Sequence, residues 1–340
     1  MKVLVTGASG FICGYLVQDL LDAGHAVTGV DNLSKYGPVT KSYDDHPAYR
    51  FVEGDAKDAA LLRDLAADCD QVVAAAAMIG GISYFHQYAY DLLAENERII
   101  AATFDAAIDA WRRGGLERVV VVSSSMVYES ADVYPTPEGA QLTSPPPGST
   151  YGFQKLATEY FAKGAHEQYG LPYTVVRPFN CVGIGEKRAL GDVEVTSGNV
   201  KLALSHVVPD LVVKTLRGQD PLHILGDGSQ VRHYTYGGDL ARGIRTAMES
   251  PKALNDDFNL SSERSTTVLE LAELIWRKVN GDRPFAYVSD PPLEYDVQRR
   301  VPDVGKAREV LGFEATTTLE EMLDEVIPWV RAEMDSGGLG

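Results

Sequence analysis

Tyr151 and Lys155 stand four residues apart in STYGFQKLATEY, and Ser124 lies upstream of them in VVVVSSSMVYES. A spacing of four puts two side chains on one face of a helix. An ammonium group beside a phenol favours the phenolate, and a serine hydroxyl can hydrogen-bond the same substrate oxygen. The three residues would form a proton relay suited to oxidising an alcohol or reducing a ketone. Tyr-x-x-x-Lys alone is also an ordinary helix face, so its meaning depends on whether the chain supplies a hydride carrier.

The N-terminus supplies one. KVLVT is a short β-rich run without a polar face, as expected of a buried strand. Gly7 and Gly10 follow, with Phe11 and Ile12 next, then a helical pattern with apolar Leu16, Val17, Leu20 and Leu21. A second apolar run, AVTGV, ends in Asp31 and Asn32. Strand, glycine turn, helix, strand and acid in this order make a dinucleotide site. The glycines let backbone approach a pyrophosphate, whose charge the helix N-terminus favours. The interval from Gly10 to Asp31 suits a carboxylate that accepts ribose hydroxyls. Asp31 would repel a 2′-phosphate, so NAD is expected over NADP. The third glycine position of T-G-x-x-G-x-x-G holds Cys13, with Gly14 next door. That position governs helix–strand packing, and Cys13 reads as a small buried apolar residue.

The 340 residues suffice for a large core in one large or two closely joined domains. Apolar residues make up 45% and charged residues 23%, typical of a globular protein. The net charge of −17 argues against nucleic-acid or anionic-membrane binding as the main activity. An anionic substrate would need a local basic pocket. Cys13, Cys69 and Cys181 show neither metal-ligand spacing nor a disulfide pattern. A cytoplasmic location is expected, since the first strand begins at residue 2 and no apolar run reaches membrane-spanning length.

Strand-like runs recur at 71–76, 118–123 and 173–177, separated by helical segments at 57–66, 91–113 and 151–169. This alternation implies an α/β fold: a Rossmann-type doubly wound parallel sheet. Residues 135–149 are rich in Pro, Gly and Ser and read as a loop ahead of Tyr151. After Arg177 the pattern turns irregular, and 181–199 reads as a long loop of a functional kind. Helices are expected near 200–217, 238–249, 267–279, 303–311 and 318–333. The expected organisation is a dinucleotide domain over 1–180 and a smaller mixed α/β substrate lobe over 181–335, with some chain crossing back. Ligands in such folds bind beyond the strand ends. Ala76, Ala77 and Gly80 are small enough there to admit a flat cofactor ring, though tight packing explains each as well.

With these parts in place, the chain resembles the extended short-chain dehydrogenase/reductases, and more narrowly the nucleotide-sugar epimerases and dehydratases. The resemblance runs from residue 1 to about residue 330 and rests on VTGASGFI, VDNLS, EGDAKD, SSSMVY, YGFQK, VVRPFNCVGIGE, ILGDGSQVRHYTYGGDLARGI and FNLSS, together with DVQRRVPDVGKAREVLGFEATTTLEEML. It implies that Asp55, with Ala56 beside it, sits against the adenine, and that Asn96 helps to order the active-site helix. It also places Asn180, Arg232 and Arg300 on the substrate diphosphate, where arginine's planar donor array suits phosphate. The R-x-P-D pattern selects Arg300 over Arg299. Family members commonly pair the helix at 91–113 with the Tyr151 helix across a two-fold axis, so a homodimer is expected.

The reaction follows from the neighbours of the trio. A 4-epimerase needs no acid or base beyond Tyr151, Lys155 and Ser124. The resembling 4,6-dehydratases carry an Asp-Glu pair where this chain has Ser125 and Met126, and the decarboxylases a glutamate at Met126. Met126 has no titratable proton, so C4 epimerisation through a transient 4-keto sugar is expected, with Ser125 and Met126 near the substrate. MIGGISYFH (78–86) and SHVVPDLV (205–212) resemble segments of GDP-fucose synthases, and the first also GDP-mannose 3,5-epimerases. That likeness makes His206 a possible extra acid/base, and the alternative is 3,5-epimerisation or ketosugar reduction, or a dehydratase using the same Ser/Tyr/Lys centre. A non-catalytic NAD sensor is a remote third reading, since both Tyr and Lys are present.

Overall fold

The computed structural model describes residues 1–79, 88–187, 195–197, 200–202, 206–292 and 297–337. Gly80, most of MIGGISYFH and much of the 181–199 loop lie outside the described residues. Seven parallel strands form the central sheet: β1 (Lys2–Thr6), β2 (Ala26–Asp31), β3 (Tyr49–Glu53), β4 (Gln71–Ala74), β5 (Arg118–Val122), β6 (Tyr173–Pro178) and β13 (Asp256–Leu260). Their order, β3-β2-β1-β4-β5-β6-β13, reverses direction between β1 and β4, the place where such sheets open a crevice. This is the Rossmann-type architecture expected from the alternation. Beyond the sheet, the short strands β7 (Cys181–Val182) and β12 (Thr235–Tyr236) pair with each other in parallel.

Side-chain alternation explains how the sheet holds helices on both faces. Val3, Val5, Val120 and Val122 face α1 (Phe11–Asp22) and α7 (Gly237–Glu249), packing on Leu16, Leu20, Leu240 and Ile244. Leu4, Val72, Val119 and Val121 point the other way. They meet α2 (Ala59–Ala66), α3 (Ala89–Arg112) and, beyond the short α4 (Ala140–Thr143), α5 (Thr150–Tyr169). A separate apolar cluster unites α6 (Val207–Leu216), β10 (Leu222–Leu225), α8 (Val268–Asn280) and α9 (Leu319–Asp335) around Trp276, Leu211 and Leu323. No helix among the described residues is long and apolar enough to cross a membrane.

Several elements differ from the sequence expectation. The helix expected near 200–217 begins only at Val207, after the antiparallel pair β8 (Val195–Ser197) and β9 (Val200–Leu202). The helix expected near 303–311 is a short π-type turn at Ala307–Leu311, closed by Gly312 at φ +66°. Strand β13, sequence DDFNL, was hidden by its aspartates: Asp257 pairs with Arg177 at 2.6 Å, and both aspartates reach Lys306.

Candidate active site

Successive strand ends deliver the candidate residues to one cleft of about 730 Å³. The β1–α1 turn brings Gly7, Gly10, Phe11 and Ile12, and the end of β2 brings Asp31 and Asn32. Asp55 and Ala56 follow β3, Ala76 and Ala77 follow β4, and Ser124, Ser125 and Met126 follow β5. Helix α5 contributes Tyr151 and Lys155. Asn180, His206, Arg232 and Arg300 close the far side. Among the described candidate residues, the cleft gathers all but Asn96, which lies behind it; Gly80 is not described.

The cofactor end is shaped by backbone. Gly7 sits at φ +75°, and a Cβ there would stand 2.8 Å from the Ala76 Cα, so only glycine lets the turn lie against the end of β4. The Asp31 carboxylate accepts from Ser9 N at 3.0 Å and Leu33 N at 2.8 Å. Those two amides fix its orientation and leave acceptor capacity for hydroxyls in the cleft. Asp55 accepts from Lys57 N at 2.9 Å, which holds its loop. A cradle that only glycine permits and an oriented carboxylate at the end of β2 fit the pyrophosphate and ribose of a dinucleotide. Cys13 is buried, with its thiol pushed up to about 12 by burial first and Asp31 second.

Asn96 of α3 is buried. Its amide accepts from Met78 N at 2.7 Å and donates to Met78 O at 3.0 Å. Through those bonds the buried side chain fixes the segment beyond β4.

At the trio, Ser124 caps the short helix Ser125–Tyr128, accepting from Met126 N at 3.2 Å. Lys155 donates to Val122 O at 3.0 Å, and its Nζ lies 6.0 Å from the centre of the Tyr151 ring. Burial pushes the Tyr151 phenol up to about 12. The groups that oppose burial are a hydrogen bond with Ser124 and the charge of Arg300. Lys155, expected to favour the phenolate as well, holds the Val122 carbonyl one helical turn beyond Tyr151. Burial lowers Lys155 itself to about 8, against the attraction of Cys13 and Glu159. Met126 is buried and packs with Leu92 on Tyr151.

Backbone pairing joins the two cleft arginines, which belong to separate motifs of the sequence. In β11 (Val231–Arg232), Val231 N donates to Gln298 O at 2.9 Å, and Arg300 N donates to Val231 O at 3.1 Å. Arg232 donates to Val231 O at 3.0 Å. Arg299 leaves the cleft and lies 5.5 Å over the Tyr134 ring. Asn180, at φ +33°, donates its amide to His233 O at 3.1 Å. His206 pairs with Glu186, a cleft carboxylate that sequence reasoning passed over because nothing in its loop is periodic.

Residues 3–261 match the model of the NAD dependent epimerase/dehydratase family. The chain belongs to that family. Similar curated proteins include a putative UDP-glucose 4-epimerase of Methanocaldococcus jannaschii, 28% identical across 97% of this chain and 98% of that protein. UDP-glucuronic acid decarboxylase 1 of Danio rerio is 26% identical across 98% of this chain and 73% of that protein. Among solved structures, the UDP-glucose 4-epimerase of Thermotoga maritima, determined with UDP-glucose, superposes with a TM-score of 0.79. It is 29% identical and covers 98% of this chain and 100% of its own. This epimerase/dehydratase is thus an NAD-dependent enzyme of the extended short-chain dehydrogenase/reductase type, and its relatives include both epimerases and decarboxylases.

Proposed function

We propose that the protein is a nucleotide-sugar 4-epimerase. The observation that carries this reading is Met126, buried against Tyr151 where a dehydratase or decarboxylase would need an acid. Ser125, its neighbour, is also buried and has no carboxylate to offer. NAD, held at Gly7, Gly10, Asp31, Asp55 and Lys155, supplies the hydride acceptor and donor. Tyr151 takes the proton of the sugar 4-hydroxyl and later returns one, and Ser124 orients that oxygen. Lys155 holds a ribose hydroxyl, while Asn180, Arg232 and Arg300 bind the diphosphate. Residues 1–180 hold the cofactor and the catalytic trio, and 181–335 form the substrate lobe with some chain crossing back to the first domain, in a cytoplasmic homodimer.

Incubation with UDP-, dTDP- and GDP-sugars, followed by chromatography, tests the reading. The expected product has the mass of the substrate, with no added NAD(P)H consumed. Loss of water or carbon dioxide would refute it. Tyr151→Phe is expected to turn over about a thousandfold more slowly while still binding NAD.

The Glu186–His206 pair in the cleft favours a second reading, 3,5-epimerisation or reduction of a ketosugar. It requires solvent deuterium at C3 or C5 and loss of turnover in His206→Asn.

A further inference from the structure

We propose, on the basis of the trio reading above, that Glu159 is a positioning residue for the reaction, tying the helix of Tyr151 and Lys155 to the strand end that bears Ser124. Glu159 lies one helical turn beyond Lys155 and two beyond Tyr151 on α5, so the three share one face. Its Oε1 accepts from Ser123 Oγ at 2.6 Å, and Ser123 is the residue immediately before Ser124. The guanidinium of Arg177, on β6, grips both oxygens: Nε to Oε1 at 2.7 Å and Nη2 to Oε2 at 2.8 Å. Gln141 of α4 donates to Oε2 at 3.3 Å. Arg177 also donates from Nη1 to the Tyr128 hydroxyl at 2.8 Å, in the short helix that Ser124 caps. One carboxylate thus locks α5, the end of β5, the end of β6 and the Ser125–Tyr128 turn into a fixed arrangement.

Stability alone is a weak reason for such a pair. Glu159 is 5% and Arg177 1% exposed, and the desolvation of so deeply buried an ion pair commonly cancels its attraction. Registry of the elements it joins is the better-attested use. Here those elements carry Ser124 on one side and Tyr151 with Lys155 on the other.

The carboxylate has a second effect. Lys155 is faced by the Val122 carbonyl of β5, by Cys13 of α1, and by Tyr151 and Glu159 of its own helix. Burial favours the neutral amine, and Glu159 opposes it. Beyond Glu159 stand Arg177, with Asp257 of β13 and the Tyr128 phenol against it. Neutralising Glu159 removes one of the two groups that oppose burial at Lys155, so the ammonium is disfavoured further. The alkaline limb of the kcat–pH profile, where Lys155 loses its proton, then moves to lower pH.

The NAD-loaded enzyme tests this with two variants. Ser123→Ala removes the link to the strand end and keeps the ion pair; Glu159→Gln removes the charge. Circular dichroism, bound NAD, and kcat and KM across pH are measured for each. For Ser123→Ala we expect a folded, NAD-loaded protein with kcat about tenfold lower, equivalent to about 1.4 kcal/mol, and unchanged KM. For Glu159→Gln we expect a larger loss of kcat together with the shift of the alkaline limb. Wild-type kcat in folded Ser123→Ala overturns the proposal, even if Glu159→Gln does not fold. So does a folded Glu159→Gln with an unshifted limb. Tyr151→Phe in the same series separates the two readings. Activity in that variant refutes the trio itself, whereas its inactivity beside a wild-type-like Ser123→Ala refutes the role of Glu159 alone.

Discussion

Tyr151 is buried, and burial raises its phenol to about 12, so a base at this position depends on whatever favours the phenolate. Arg300 is one such group, and it is also proposed to bind diphosphate. Its replacement should therefore show two effects at once. Arg300→Met is expected to raise KM for the nucleotide-sugar about tenfold, the usual scale for one charge-assisted contact. It should also move the acid limb of kcat to higher pH, because removal of a positive charge makes the phenol harder to ionise. Steady-state kinetics across pH checks both effects. Arg299→Ala, whose guanidinium stacks on Tyr134 outside the cleft, should leave KM and the limb within about threefold of wild type. The sequence pattern R-x-P-D favours Arg300 of the two, and their partners in the fold show why: Arg300 lines the cleft while Arg299 stacks on Tyr134.

Among the elements, β1, α1 and β2 were legible because their signals are local. An apolar run, a glycine turn and a helical stripe each need no distant partner to be recognised. Gly7 is the tightest point of that unit, with φ +75° and the Ala76 backbone 2.8 Å from where a Cβ would sit. Gly7→Ala should cost about 1–3 kcal/mol in a conformation that L-residues avoid. A thermal-shift assay should show a lower Tm and a smaller stabilisation by added NAD. Strand β13 was illegible for the opposite reason. Two adjacent aspartates argue against a strand until Arg177, from an earlier strand, and Lys306, from a later loop, are in place beside them. The late start of α6 belongs with it, since an apolar run marks burial without telling a short strand from a first helical turn.

At the scale of the molecule, α3 and α5 pack side by side against the sheet and leave aromatic side chains in solvent: Tyr90 at 77%, Phe153 at 47% and Tyr160 at 56% exposure. Large exposed aromatics on paired helices suit a covered surface, and they support the proposed homodimer. Sedimentation equilibrium should find a dimer, and Tyr160→Glu combined with Phe153→Glu should yield a folded monomer. A persistent dimer in that variant would place the interface elsewhere. The sequence by itself pointed to the dinucleotide turn, the proposed Ser124–Tyr151–Lys155 trio and the lack of an acid at Met126, because each is a matter of residue type and short spacing along one chain segment. Tertiary structure alone decided which charges act on that trio. Arg300 reaches Tyr151 from a distant part of the chain, Lys155 turns to the Val122 carbonyl, and Glu159 is gripped by Arg177 beneath them. Electrostatic influence depends on distance and burial, and neither follows from position along the chain.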